Sequence, residues 1–254
     1  MQTNEHEYYE KIGNWDFSQI KYIVEKENDW DFYNKIKENS NEESVCLDLG
    51  TGGGEKVLKY YPKVKKIIAT DFSKEMIETA NKNLLTSGIE NVEFKVMDNL
   101  KIEFPDETFD VISARHTIIN AEEIYRCLKS NGTLIIEGVD KEDCQELKDL
   151  FGRGQAYNDE IAISEKDYTD LKNAGFENIK FDKIIEYEYY ETEEDLLALL
   201  LKTPILDDFS ELDNTNFTHN KIIEPELFKK YVETHKTEKG IMLKRVLYGI
   251  VAKK

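Results

Sequence analysis

Between Val45 and Val139 the chain alternates short runs rich in β-branched and apolar residues with longer stretches whose apolar positions recur at helical spacing. Such alternation is the pattern of βαβ units feeding a parallel sheet. The runs SVCLDLG, VKKIIATD, VEFKVMD, FDVISAR and GTLIIEGV read as strands. SKEMIETANKNLLTSG, between the second and third, reads as a helix capped by Ser73, with Met76, Ile77, Ala80 and Leu84 on its apolar face and Gly88 at its end. NAEEIYRCLKSNG reads as a second helix closing at Asn131-Gly132. Two further helical patterns, KEDCQELKDLFG and SEKDYTDLKNAG, lead to a strand from about Ile179 to Tyr190, and GIMLKRVLYGIVAKK is the last strand.

Two segments do not fit this alternation. Residues 1–43 precede the first core strand and carry Tyr8, Tyr9, Trp15, Phe17, Tyr22, Trp30, Phe32 and Tyr33; they are expected to form a helical lid. The stretch from 191 to 239 separates the last two strands by far more than a hairpin turn needs and is expected to be a cap insertion. Residues 44–254 would then make up the main domain. In EYEYYETEED, Tyr187 and Tyr189 share one face of a strand and Glu186 and Glu188 the other. The glutamates read as a solvated face, and the tyrosines, together with LLALLLKTP, as a possible wall of an acceptor pocket. Arg153, in FGRGQAY, reads either as a partner for an anionic acceptor or as a surface charge.

Composition narrows the function classes. An apolar content of 40 % supports a sizeable core. Acids outnumber Lys and Arg by 52 to 34, a net charge of −18 that repels a nucleic-acid backbone in the absence of a local basic patch. The N-terminus is polar, no run of 18 apolar residues occurs, and the location expected is cytoplasmic with no membrane partner. Cys46, Cys127 and Cys144 form no C-x-x-C pair, and His6, His116, His219 and His235 show no common spacing, so neither a disulfide framework nor a metal site is indicated.

CLDLGTGGGE, residues 46–55, is the stretch with chemistry in it. Asp48 falls at the end of the first core strand, and Gly50, Gly52 and Gly54 leave the following turn without Cβ atoms facing whatever lies over it. The spacing is G-x-G-x-G rather than the G-x-G-x-x-G of a dinucleotide turn, Glu55 stands where a pyrophosphate would approach, and no Gly-Lys-Ser/Thr follows. A cation or zwitterion beside an acid suits the loop better than a phosphate. Asp71 and Asp98 fall at the ends of the second and third strands; each alone would be a turn or loop acid.

VCLDLGTGGGEKVL, IIATDFSKEMIETANKNL, VEFKVMD, FPDETFDVISAR and EIYRCLKSNGTLIIEGV together, in this order, resemble the class I S-adenosylmethionine-dependent methyltransferases, closest to a small-molecule type. The resemblance implies an α/β, Rossmann-like, doubly wound and mostly parallel seven-stranded sheet with an antiparallel last strand. It implies S-adenosylmethionine as cofactor, with Gly50, Thr51, Gly52 and Gly54 against its methionine and ribose, Asp48 near the ammonium and Asp71 on the ribose hydroxyls. Phe72 and Met76 would lie against adenine, Asp98, Asn99 and Leu100 at the edge of the ring, and Ala114 beside the cofactor on the fourth strand. His116 is the candidate base and Arg115, with Thr117, a candidate for orienting the acceptor. The alternative for this pair is that His116 packs under its loop and Arg115 pairs with an acid such as Glu137. The expected protein is a monomer or homodimer acting on a small molecule.

Two other classes stay open: an RNA or protein methyltransferase, and a noncatalytic S-adenosylmethionine-binding protein. LLALLLKTP is similar to a segment of ribosomal RNA methyltransferases, but their cysteine-rich zinc module is absent. SARHTI stands where amino-group nucleic-acid methyltransferases carry an Asn/Asp-Pro-Pro-aromatic loop.

Overall fold

The computed structural model describes residues 2–3, 19–210, 217–218 and 223–254. Much of the expected lid, residues 1 and 4–18, lies outside the described residues, as do residues 211–216 and 219–222 of the expected cap. In chain order the elements are β1 (Tyr22–Lys26), α1 (Phe32–Asn39), β2 (Val45–Leu49), α2 (Glu55–Tyr60), β3 (Lys66–Asp71), α3 (Lys74–Ser87), β4 (Val92–Val96) and β5 (Phe109–Arg115). They continue with α4 (Ala121–Cys127), β6 (Leu128–Val139), α5 (Gln145–Phe151), α6 (Ile163–Ala174), β7 (Glu177–Tyr190), α7 (Glu193–Lys202), α8 (Pro225–His235) and β8 (Gly240–Lys253). The main sheet runs β1-β7-β8-β6-β5-β2-β3-β4, and Lys236–Thr237 adds a short strand on β8. Among the described helices none is long and apolar enough to cross a membrane.

The chain divides into two compact units, and each has its own core. Residues 30–138, 164–182 and 248–254 form the unit that holds β2 to β5. Here β2 pairs in parallel with β3 on one side and β5 on the other, β3 with β4, and β5 with β6. The end of β8 runs antiparallel beside β6, with the Asn131 amide donating to the Lys254 carbonyl and the Lys254 amide to that of Gly132. The core of this unit gathers Phe32 and Ile36 of α1, Cys46 of β2, Ile67 and Ala69 of β3, Ile77 and Ala80 of α3, Phe94 of β4 and Val111 of β5. The α3 helix forms where the apolar spacing places it. Ser73 Oγ accepts from the Met76 amide, Gly88 ends it in the left-handed region, and Met76, Ile77 and Ala80 are buried.

Residues 1–29, 139–163 and 183–247 form the other unit. Its core combines Leu147 and Phe151 of α5, Tyr190 of β7, Leu196 and Leu199 of α7, Phe228 and Tyr231 of α8, and Leu243 of β8. β1 pairs antiparallel with β7, from Tyr22 opposite Tyr190 to Lys26 opposite Glu186.

The structure departs from the sequence reading at four places. Tyr22–Lys26 is a strand and not part of a helical segment; its Tyr-Ile-Val run has strand propensity, but all five residues are exposed, so no alternation announces it. Trp30 and Phe32, counted with the lid, are buried in the core. The α4 helix stops at Cys127 because Leu128 already pairs with Phe109 in the sheet; Asn131, at φ +64°, makes a bend within β6 instead of a helix cap. Glu188 is buried rather than solvated, held by Arg245 and by the Tyr190 hydroxyl. Arg153 donates to the Leu206 carbonyl and to Glu224, at 3.0 Å. All three cysteines are unbridged and buried, and burial pushes the Cys46 thiol up to about 12.

Candidate active site

β2 connects outward to β3, while its other neighbour, β5, begins the opposite half of the sheet. The crevice beyond the carboxyl ends of β2 and β5 is therefore the topological switch point where ligands of open α/β sheets bind. All the residues described below belong to the unit built around these strands.

The glycine turn leaves β2 here, and its glycines have different tasks. Gly50 has φ +72°, and a Cβ on it would fall 2.6 Å from the Cβ of Thr117. Gly54, at φ +77°, is the N-cap of α2, and a Cβ there would fall 2.6 Å from the Phe94 ring. These two are glycines because the turn is left-handed and closely packed. Only Gly52 looks into open space, with no atom within 4 Å of where its Cβ would be. The Thr51 amide donates to the Thr70 carbonyl at 2.9 Å and its carbonyl accepts from the Gly54 amide, which fixes the turn against β3.

Asp48 is buried, and its Oδ1 accepts from Ser113 Oγ at 2.7 Å; Ser113 Oγ in turn lies 3.1 Å from the Tyr61 hydroxyl. Burial pushes the Asp48 carboxyl up to about 6, against the opposing pull of the Ser113 hydrogen bond. Asp71 accepts the Gly52 amide on Oδ2 and the Ser73 amide on Oδ1, both at 2.9 Å. It is therefore a turn-shaping residue, as one reading of its position has it. A carboxylate has about four acceptor sites, so two remain for a ligand. Burial raises its pKa and the two amides draw it back down.

Beyond β4, Asp98 is exposed and accepts the Leu100 amide at 2.8 Å. Asn99 turns its side chain inward: Nδ2 donates to Thr117 Oγ1 at 2.8 Å, while its buried Oδ1 has no hydrogen-bond partner among the described residues. Phe72 is half-buried, and Met76 and Ala114 are buried.

At the end of β5, Arg115 Nε donates to Glu137 Oε1 at 2.7 Å, the pairing that the bland reading of this position anticipates. His116 stands in the left-handed region at φ +51°, its amide donating to the Glu137 carbonyl at 2.8 Å and its Nε2 3.6 Å from Glu137 Oε1. Glu137 also accepts Trp30 Nε1 on Oε2 at 2.9 Å. Tyr33, at the start of α1, interacts electrostatically with Asp48, Arg115 and Glu137; burial, before any of these charges, pushes its phenol well above the usual range.

Trp30, Tyr33, Tyr61 and Ser113 were not singled out as site residues from the sequence. Trp30 and Tyr33 flank Asp31, whose side chain caps α1; that cap, two positions ahead of Tyr33, is the signal that marks this short helix. Ser113 carries no such signal, because only its register opposite Asp48 brings it to the site.

A doubly wound sheet, a glycine turn at its switch point and acids at successive strand ends define a class I methyltransferase fold. The chain belongs to the methyltransferase domain family, whose model matches residues 40–188. The uncharacterized methyltransferase YcgJ of Bacillus subtilis is 33% identical over 101 residues, covering 37% of this chain and 40% of YcgJ. Phosphoethanolamine N-methyltransferase 3 of Arabidopsis thaliana is 26% identical over 202 residues, 72% of this chain and 39% of that enzyme. The chain thus spans about two fifths of the length of these curated relatives. The crystal structure of YcgJ superposes with a TM-score of 0.55 at 18% identity, covering 87% of this chain and 96% of YcgJ, a likeness of fold.

Proposed function

We propose that the protein transfers a methyl group from S-adenosylmethionine to a small-molecule acceptor. The observation that carries this reading is the pair of buried carboxylates at the glycine turn, Asp48 and Asp71, with Asp71 bound to Gly52, the turn glycine whose Cβ position faces open space. Asp48 would meet the ammonium of the cofactor and Asp71, through its remaining lone pairs, the ribose hydroxyls. The unpaired Asn99 Oδ1, with Asp98 and Leu100, offers acceptor and donor groups to an adenine edge, and Phe72 and Met76 supply apolar surface. When bound, the sulfonium supplies an electrophilic methyl group for in-line displacement, and the chain's task is to align the acceptor with it. Arg115 and His116 are the polar groups at the end of β5 that would orient that acceptor, with His116 as base when the nucleophile carries a proton. The small-molecule assignment is supported by the acidic surface and by the phosphoethanolamine activity in the name of the Arabidopsis relative.

Asp48 provides the test. Burial raises its pKa from the ordinary aspartate value near 3.8 to about 6. The folded state therefore holds this proton more tightly than the unfolded chain, and this group costs stability as pH rises from about 4 through 6, by about 3 kcal/mol in the empty protein. An ammonium ligand reverses the preference, since it pairs with the ionised form. Calorimetric affinity for S-adenosylmethionine is expected to be about tenfold weaker at pH 5 than at pH 7, with that difference absent in Asp48→Asn. An affinity equal at the two pH values in the wild type would remove Asp48 from the ammonium site.

A further inference from the structure

Glu137 lies on β6, outside the glycine turn and outside the acids at the ends of β2 and β3, yet three elements of the site converge on it. Its Oε2 receives the Trp30 indole N–H at 2.9 Å and its Oε1 the Arg115 guanidinium at 2.7 Å. The same Oε1 is 3.6 Å from His116 Nε2, and its own carbonyl receives the His116 amide at 2.8 Å. The residue that does this is 7% exposed. His116 sits in a left-handed conformation that a residue other than glycine adopts only when its surroundings hold it there. Here the holding is visible: a main-chain bond to Glu137 fixes the backbone, and the carboxylate of the same residue faces the imidazole.

We propose that Glu137 is the positioning residue of this site: it fixes the His116 imidazole and the Arg115 guanidinium at the end of β5 and sets the charge that the imidazole experiences. This rests on the reading of the site as one for methyl transfer, but the coupling itself concerns only groups of this chain. A carboxylate within about 4 Å favours the imidazolium, and it orients the ring so that the proton acquired by His116 is held against an anion. Charged and titratable groups among the described residues around these strand ends include Arg115, next in sequence to His116, Asp48 on β2, Asp71 on β3, and Tyr33 on α1 with Tyr61 just beyond α2; Asp48 and Tyr33 both interact electrostatically with Arg115. Glu137 is the acid that balances Arg115.

The arrangement also accounts for the burial of Trp30. Its indole takes the second carboxylate oxygen, so Glu137 is clamped from one side while it clamps from the other. A carboxylate held on both oxygens presents one of them to the His116 ring in a fixed direction.

The experiment is an NMR titration of the histidine rings in the full chain, with the His116 signal assigned by its absence in His116→Asn. In Glu137→Gln, which keeps the shape and the acceptor for Trp30 but removes the charge, the His116 pKa is expected to fall by about one pH unit or more. Glu137→Asp keeps the charge and withdraws it by one methylene, and a smaller fall in the same direction is expected; it serves as the test if the Gln variant does not fold. Once an acceptor is known, the acid limb of the kcat profile should move to lower pH by the same amount in Glu137→Gln, with the affinity for S-adenosylmethionine unchanged. A His116 pKa that is the same in the wild type and in whichever variants fold would overturn the proposal, whatever the protein methylates. A shift in pKa without detectable methyl transfer would sustain the coupling and count instead against the function proposed above.

Discussion

Replacing His116 with alanine is expected to lower kcat by about 10²–10⁴-fold while leaving the affinity for S-adenosylmethionine within a factor of about two. The loss corresponds to about 2.7–5.5 kcal/mol of transition-state stabilisation. The expectation follows from geometry: His116 leaves the end of β5 at the switch point, its main chain tied to the Glu137 carbonyl and its ring beside the Glu137 carboxylate. Because the residue is left-handed at φ +51°, alanine adds a backbone strain of about 1 kcal/mol that is unrelated to proton transfer. His116→Asn is the companion variant, since asparagine accepts this conformation and removes the imidazole alone. Both variants should lose activity alike, and the rising limb of activity with pH should vanish in both. A loss below tenfold in the asparagine variant would mean that alignment alone drives the reaction.

The largest stability effect is expected far from the catalytic residues in sequence, at Arg245. Its Nε and Nη2 reach the two oxygens of Asp143 at 2.9 and 3.0 Å, and its Nη1 lies 3.3 Å from Glu188. Asp143 and Glu188 are both buried, and the former also accepts the Val246 amide at 2.8 Å. Arg245→Ala leaves two carboxylates in the interior without their cation, and removing one partner of a buried ion pair costs about 3–5 kcal/mol. Thermal denaturation should show a midpoint lower by about 10 °C. The triple variant Arg245→Met, Asp143→Asn, Glu188→Gln removes all three charges and should recover most of that loss, since a neutral set in the same volume need not be desolvated as ions. If Arg245→Ala alone is within about 0.5 kcal/mol of the wild type, the cluster is screened by solvent.

This cluster also marks where the sequence was illegible. Alternation in EYEYY correctly separates Glu188 from Tyr187 and Tyr189, but periodicity says only that two faces differ, not which one is buried. The burial of Glu188 depends on Arg245, 57 positions away, and nothing local announces that pairing. By contrast, the parallel strands β2 to β6 and the α3 helix were readable because each rests on local signals: an apolar run, a serine cap, a left-handed glycine. The glycine turn at the end of β2 was legible as a turn, but not the reasons for each of its glycines. Gly50 and Gly54 are small because Thr117 and Phe94 press on them, and such neighbours belong to tertiary packing. The strand Tyr22–Lys26 was missed for the opposite reason: with all its residues exposed there is no buried face to produce a pattern. In the site itself, Asp48, Asp71 and His116 could be placed from strand ends alone, whereas Ser113, Tyr33 and Trp30 act through register and burial.

The most direct measurement is calorimetric titration of the protein with S-adenosylmethionine, with its demethylated product and with a nicotinamide dinucleotide, repeated in Asp71→Ala. Both sulfur-bearing ligands are expected to bind with a Kd in the micromolar range, about −8 kcal/mol, and the dinucleotide not at all. Asp71→Ala should weaken the first two by about 10- to 100-fold through loss of the ribose hydrogen bonds. Binding of the dinucleotide with no heat from S-adenosylmethionine, or an Asp71→Ala protein that binds S-adenosylmethionine as tightly as the wild type, would contradict the cofactor site described here.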